Sequence, residues 1–137
     1  MRVAIVFFAP KNRNKHLEIA KGLSAGIESK GHNVDIIDGD RDVNTKLTGY
    51  GYIAVGTCAV NTFGGKIPDK INTYLSNAGI IAGKRSFAYI LKGGLRLPKT
   101  LDVLMKSMEH EGMFLKFSEV LTSHAEAEAI GKRLHID

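Results

Sequence analysis

Apolar residues in this chain form short, nearly continuous runs, separated by longer segments in which they recur every three or four residues. The runs occupy residues 2–8, 33–37, 52–56, 86–91 and 113–121. An unbroken apolar run is typical of a strand covered on both faces of a sheet, whereas the wider spacing is typical of an amphipathic helix. We therefore predict five β-strands. The first four are expected to be buried on both faces, and the fifth, which contains Lys116 and Glu119, is expected to be more exposed.

Helical segments are predicted between and after these strands. The first is predicted over residues 15–30, and residues 43–49 have room for a turn or two of helix. Helix start and stop residues bound the others. These are Gly31 after the first helix, Pro68 and Gly79 around the second, Pro98 and Gly112 around the third, and a Ser123–Glu126 capping box before the fourth.

Alternating strands and helices with right-handed crossovers predict an α/β three-layer sandwich. We expect one domain over residues 1–137, with a five-stranded parallel sheet in the order 2-1-3-4-5. Gly22 and Gly26 lie on one face of the first helix, and we interpret them as a place of close packing on the sheet. The residues expected in or near the core are Val3, Ile5, Phe7, Val34, Ile36, Ile53, Val55, Phe87, Tyr89 and Ile90.

Composition narrows the class of protein. The chain is 44% hydrophobic and 24% charged, which is ordinary for a globular domain, and its formal net charge is +5. The basic residues are dispersed, so we interpret them as a basic surface and expect no nucleic-acid partner. The single cysteine excludes a disulfide framework and a cysteine-rich zinc site. No apolar run approaches a membrane span, and no signal-peptide pattern opens the chain, so we expect a cytoplasmic protein with no membrane partner.

Three polar or glycine-bearing loops follow the first, third and fourth strands, at residues 9–15, 57–65 and 92–97. The carboxyl ends of parallel strands meet at one edge of the sheet, so these loops are expected to converge there. The first loop leads into a helix N-terminus, which offers free N–H groups to an anion, and Lys11, Arg13 and Lys15 add positive charge. Our hypothesis is that a phosphate group binds at this loop.

Several known chemistries are excluded by the residues at these loops. Residues 9–14 contain no glycine, which excludes the G-x-G-x-x-G dinucleotide fingerprint and a P-loop. A phosphatase loop would need an arginine six positions after Cys58, where Gly64 stands instead, and we interpret Cys58 as a small packed residue. We expect no metal site, and we interpret the acidic segment 38–42 as a solvated turn rather than a calcium loop. The five histidines are interpreted as surface residues.

The chain resembles the flavodoxin family over essentially its whole length. The features that carry the resemblance are the strand–loop–helix opening, Gly56-Thr57 followed by Gly64 and Pro68, the Lys92-Gly93-Gly94 loop, and the closing segment 126–134. One departure is a first loop without hydroxyl residues or glycine. Pro10 has no N–H to donate there, although Asn12 or Asn14 can take the left-handed conformation that a glycine would supply.

The resemblance implies a protein that binds one FMN and carries electrons, rather than a catalyst with its own substrate. It implies that the first loop holds the phosphate, that the other two flank the flavin ring, and that Phe63 stacks on it. The implied residues are Pro10, Lys11, Asn12, Arg13, Asn14 and Lys15 for the phosphate, and Thr57, Cys58, Ala59, Asn61, Thr62, Phe63, Gly64, Lys92, Gly93, Gly94 and Leu95 for the ring.

Two functions remain open at this point. The first is the FMN-binding electron carrier, whose basic surface would favour an acidic redox partner. The second is a protein of the same fold that has lost FMN and acts as a binding or regulatory module.

Overall fold

The computed structural model describes all 137 residues. It contains five strands and four helices in the order β1, α1, β2, β3, α2, β4, α3, β5, α4. The strands are β1 (Arg2–Phe7), β2 (Asn33–Asp38), β3 (Tyr52–Thr57), β4 (Arg85–Leu91) and β5 (Phe114–Leu121). The helices are α1 (Arg13–Glu28), α2 (Lys70–Ser76), α3 (Leu97–His110) and α4 (His124–Arg133).

All five strands are parallel, in the order β2-β1-β3-β4-β5, which confirms the predicted topology. β1 lies between β2 and β3. The chain therefore passes from β1 to β2 on one side of it and then crosses to β3 on the other side. The sheet therefore has its switch point at β1, and a crevice forms beyond the carboxyl ends of β1 and β3. The loops after β1, β3 and β4 all reach this edge.

Two separate apolar clusters cover the two faces of the sheet, which confirms the three-layer sandwich. One contains Ile19, Leu23 and Ile27 of α1 with residues of α4, and the other is built from residues of α2 and α3. Of the predicted core residues, those of β1, β3 and β4 are almost fully buried. Val34 and Ile36 of β2 pack against the core and are partly buried.

Three expectations about local structure are wrong. β2 is not buried on both faces, because it is an edge strand and its Asn33 and Asp35 side chains face solvent. Residues 43–49 form turns rather than helix, since the backbone N–H of Leu47 donates to the carbonyl of Ala78 and docks this segment on the end of α2. The helix expected from Pro68 begins two residues later, at Lys70.

Glycines allow α1 and α4 to touch along their backbones. A Cβ on Gly22 would lie 2.4 Å from the carbonyl oxygen of His124, and one on Gly26 would lie 2.2 Å from that of Glu128. Gly131 of α4 is equally close to the carbonyl of Leu23. The interpretation that Gly22 and Gly26 pack on the sheet is therefore wrong, since their close partner is the last helix.

Candidate functional site

A cavity of about 230 Å³ lies where the three loops converge. It brings together eight of the residues that the sequence suggested: Lys11, Asn12, Lys15, Cys58, Ala59, Lys92, Gly93 and Gly94. His16 and Leu91 complete its lining, and neither was expected there. We refer to this cavity as the loop pocket.

The first turn of α1 presents unused hydrogen-bond donors. Asn12 caps the helix in the left-handed conformation, with φ 53° and ψ 51°, so an asparagine supplies the backbone geometry usually given to glycine. Its carbonyl accepts hydrogen bonds from the N–H groups of Lys15 and His16. The N–H groups of Asn12, Arg13 and Asn14 donate none within the chain. Consecutive free donors at a helix N-terminus are suited to binding an anion.

Positive charge at the loop pocket is largely uncompensated. Lys11 and Lys92 form no ion pair, and Lys15 has only a long contact of 3.8 Å with Glu18, which lies one turn further along α1. No acidic residue lines the pocket. A ligand with a negative charge would therefore meet both free N–H groups and free ammonium groups.

Arg13 lies elsewhere, although its sequence neighbours reach the pocket. Its guanidinium donates from Nε and Nη2 to one oxygen of Asp38, at 3.0 and 2.6 Å, and stands 5.8 Å from the centre of the Phe7 ring. Pro10 and Arg13 line a separate cavity together with Asp38 and Asp40. The charge of Arg13 is thus offset by a carboxylate that is itself mostly buried.

The acidic segment after β2 holds the first loop in place through hydrogen bonds and ion pairs. Asp40 accepts a hydrogen bond from the Ala9 N–H at 2.8 Å and forms an ion pair of 3.0 Å with Lys70. Asp38, besides holding Arg13, accepts the backbone N–H of Asp40 at 3.0 Å. The segment is a turn, as predicted, and its Arg41 and Asp42 are exposed, but Asp38 and Asp40 are not solvated as expected, because their carboxylates link β1, α1 and α2.

His16 and Cys58 form a buried pair at the loop pocket, with 3.4 Å between Nε2 and Sγ. Cys58 is a packed residue, as predicted, but His16 is only 1% exposed and not a surface histidine. Burial lowers the pKa of His16 to about 4, although the negative charge of Asp40 opposes the change. Burial also raises the pKa of Cys58, against the influence of Lys11. The pair is therefore a neutral imidazole and a thiol at neutral pH.

The outer parts of the second and third loops are joined to each other. The Leu95 N–H donates to the Thr62 carbonyl at 2.8 Å, and the Gly65 N–H donates to Thr100 Oγ1 at 2.7 Å. Gly64 has φ +77°, and a Cβ there would lie 1.9 Å from the Leu95 carbonyl oxygen. We call this joined region the loop latch, defined by residues 61–65 and 94–100. The latch directs Thr62, Gly64 and Leu95 toward each other instead of into the pocket.

Phe63 extends outward from the latch and is 70% exposed. Its ring is neither in the core nor in the lining of the loop pocket. Thr57 is buried beneath the pocket, where its hydroxyl donates to the Phe8 carbonyl at 2.9 Å and ties the end of β3 to β1.

The arrangement of the whole chain closely matches solved structures. A structure of oxidised flavodoxin 1 from Bacillus cereus superposes with a TM-score of 0.72, covering 97% of this chain and 93% of that one at 16% identity. A flavodoxin from the domain Archaea superposes at 0.71, covering 97% and 95% at 19% identity. The fold is that of the flavodoxins.

The likeness lies in structure rather than in sequence. A two-electron reduced flavodoxin from Megasphaera elsdenii also matches, with a TM-score of 0.66 and 15% identity over 95% of this chain and 96% of that one. No protein-family model and no curated protein matches the chain. No helix of this flavodoxin fold is long and apolar enough to cross a bilayer.

Proposed function

We propose that the loop pocket binds FMN, with the phosphate at the N-terminus of α1, and that the protein carries electrons. The observation that carries the proposal is the helix N-terminus with free N–H groups at residues 12–14, whose Asn12 lines the loop pocket together with Lys11 and Lys15. FMN supplies reversible electron transfer when it is bound. In this proposal the residues of the chain bind the phosphate of FMN, position the flavin ring and determine the charge around the ring.

The residues of the pocket suit both ends of FMN. Backbone N–H groups and two ammonium groups are the donors that a phosphate dianion needs. The side of the pocket opposite the first loop includes three residues with little or no side chain, Ala59, Gly93 and Gly94. A Cβ on Gly93 would meet no atom within 4 Å, so a flat ring has open space against this part of the backbone.

Loss of a phosphate ligand should separate FMN from riboflavin, which lacks the phosphate. We expect Lys11→Gln to weaken FMN binding about tenfold, since a charge-assisted hydrogen bond contributes roughly 1.5–3 kcal/mol. Riboflavin affinity should change little. Lys21→Gln, which removes an exposed charge from α1 outside the pocket, is the matched control. Isothermal titration calorimetry measures the affinities of the unsubstituted protein and of both variants for the two ligands, and equal losses for both ligands in Lys11→Gln would mean that Lys11 acts only through loop structure.

Phe63 is expected to lie against the flavin ring once the ligand is bound. Its exposure leaves it free to do so, because no other side chain holds it in the core. We expect Phe63→Ala to raise the fluorescence of the bound flavin, since a stacked aromatic ring quenches it. Phe114→Ala is the matched control, because Phe114 is also exposed but belongs to β5. Unchanged fluorescence and affinity in Phe63→Ala would remove Phe63 from the site.

A second candidate is a flavin-free module that binds a smaller anion. Two observations favour it: the loop latch joins the two loops expected to flank the ring, and the cavity of about 230 Å³ is below the usual size of a ligand pocket. Calorimetry with inorganic phosphate and with FMN distinguishes the candidates. Phosphate binding without a gain in affinity for FMN supports the flavin-free module, and tighter binding of FMN supports the electron carrier.

The surroundings of the latch fit an acidic redox partner. Lys66, Lys92, Arg96 and Lys99 are exposed and form no ion pair. Phe63 and Leu95 are also exposed on these joined loops, at 70% and 61%. Apolar residues surrounded by cations are suited to an acidic partner surface, with association that salt weakens.

A further inference from the structure

A second cavity, of about 260 Å³, lies away from the loop pocket. Its lining comes from the first residue of β3, from β5, from the last residue of α4 and from the segment that follows it. These residues are Tyr52, Lys116, Phe117, Arg133, Leu134 and His135. We call it the β5 cavity. It shares no residue with the loop pocket.

Tyr52 brings a hydroxyl that is open to solvent and has no protein partner to the wall of the β5 cavity. The ring of Tyr52 is packed in the core, and its hydroxyl forms no hydrogen bond within the chain, whereas the nearby Tyr50 hydroxyl donates to Asp35. Burial raises the pKa of Tyr52, although the charge of Arg85 opposes this, so the hydroxyl keeps its proton and can donate it in a hydrogen bond.

The apolar wall of the β5 cavity is partly uncovered. Phe117 stacks on Phe87 with ring centres 5.7 Å apart and nearly parallel planes, and it is 44% exposed. The register between β4 and β5 shifts between Ser86 and Phe87. Ser86 pairs with Leu115 and Phe87 pairs with Phe117, so Lys116 has no partner on β4. The shift places a basic side chain beside an open aromatic face.

The charge around the β5 cavity is positive and uncompensated. Lys116 and Arg133 form no ion pair, and no acidic residue lines the cavity; the Lys116 ammonium lies 4.8 Å from the centre of the Phe114 ring. Lys132 and Arg133 occupy the last turn of α4, where they offset the partial negative charge of its free carbonyl groups. A ligand with an apolar body and a single negative charge would satisfy these groups together.

We propose that the β5 cavity binds a small aromatic carboxylate. The aromatic body would cover Phe117 and Leu134, the carboxylate would meet Arg133 and Lys116, and a polar ring atom or carboxylate oxygen would pair with the Tyr52 hydroxyl. Apolar walls with a few converging polar groups are the usual composition of a small-molecule site. The site is independent of flavin, because it lies on different residues.

A ¹⁵N NMR titration of the flavin-free protein with indole-3-acetate tests this proposal. We expect saturable shifts confined to residues around Tyr52, Phe117 and Leu134, with an affinity on the order of millimolar or tighter for a ligand of this size. Tryptamine has the same ring with a positive charge and should not bind. Tyr52→Phe should weaken binding roughly three- to tenfold, and Arg133→Gln roughly tenfold or more.

Matched controls keep the test decisive. Tyr89→Phe removes a tyrosine hydroxyl of the same core cluster that lies outside the cavity, and it should leave the affinity unchanged. Arg133 is exposed, so Arg133→Gln remains informative even if Tyr52→Phe fails to fold. Equal binding of tryptamine, shifts elsewhere in the protein, no shifts, or full affinity in Arg133→Gln would each overturn the proposal. None of these results depends on whether the loop pocket binds FMN.

Discussion

Replacing Gly26 by alanine is expected to destabilise the protein by roughly 2–3 kcal/mol, although alanine is the better helix former. Helix propensity alone would favour alanine by about 1 kcal/mol. The new methyl group, however, would lie 2.2 Å from the carbonyl oxygen of Glu128, which is backbone and cannot rotate away. α1 and α4 would have to separate, and overpacking of this kind typically costs about 1–3 kcal/mol or more.

Urea unfolding followed by circular dichroism measures this effect. Ala25→Gly is the matched control, because Ala25 is exposed on the same turn of α1 and reports propensity without the contact. That variant should lose about 1 kcal/mol. A Gly26→Ala protein as stable as the unsubstituted chain, or more stable, would show that the two helices have room to move apart.

Acid is expected to destabilise the fold through His16 by about 3 kcal/mol at roughly pH 4. The pKa of this residue is near 6.5 in the unfolded chain and about 4 in the folded protein, because burial disfavours the charged imidazole. Between these values the unfolded chain binds more protons, so stability falls as the pH is lowered. Above about pH 7.5 both states hold a neutral imidazole and the contribution vanishes.

His16→Leu isolates this contribution, since leucine fills similar space and does not titrate. Between about pH 7.5 and about pH 4.5 the variant should lose roughly 2–3 kcal/mol less of its unfolding free energy than the unsubstituted protein. His135→Leu removes an exposed histidine that forms no hydrogen bond or ion pair, and it should follow the unsubstituted protein. If His16→Leu has the same pH dependence as that control, His16 is protonated in the folded state at acidic pH.

The fold could be predicted from the sequence because its signals are local. Apolar runs marked each strand, and glycine or proline marked most helix ends. β2 was misjudged although the predicted strand order already placed it at the edge, and the alternation of Asn33 and Asp35 with Val34 and Ile36 is the pattern of a strand with one face in solvent. The segment 43–49 was misjudged because its structure depends on a contact of Leu47 with Ala78, which helical spacing cannot reveal.

The site was only partly predictable, because it depends on pairs that are distant in sequence. Asp38 and Asp40 belong to one loop, yet their partners Arg13 and Ala9 stand 25 and 31 residues away. The burial of His16 did have a local signal, since it lies three and four residues before Ile19 and Ala20 on the inner face of α1. Gly22 and Gly26 indicated close packing, but their spacing could not say which element covers them.

The contact between α1 and α4 also has a consequence for synthesis on the ribosome. The two helices are far apart in the chain, and Lys30 just after α1 contacts the carbonyl of Lys132, 102 residues later. The ribosome therefore releases the first four elements, β1, α1, β2 and β3, well before α4, which covers the side of α1 that contains Gly22 and Gly26. During that interval Leu23 and Ile27 lack part of their final cover, so the nascent chain exposes an apolar surface that chaperones or neighbouring chains can bind.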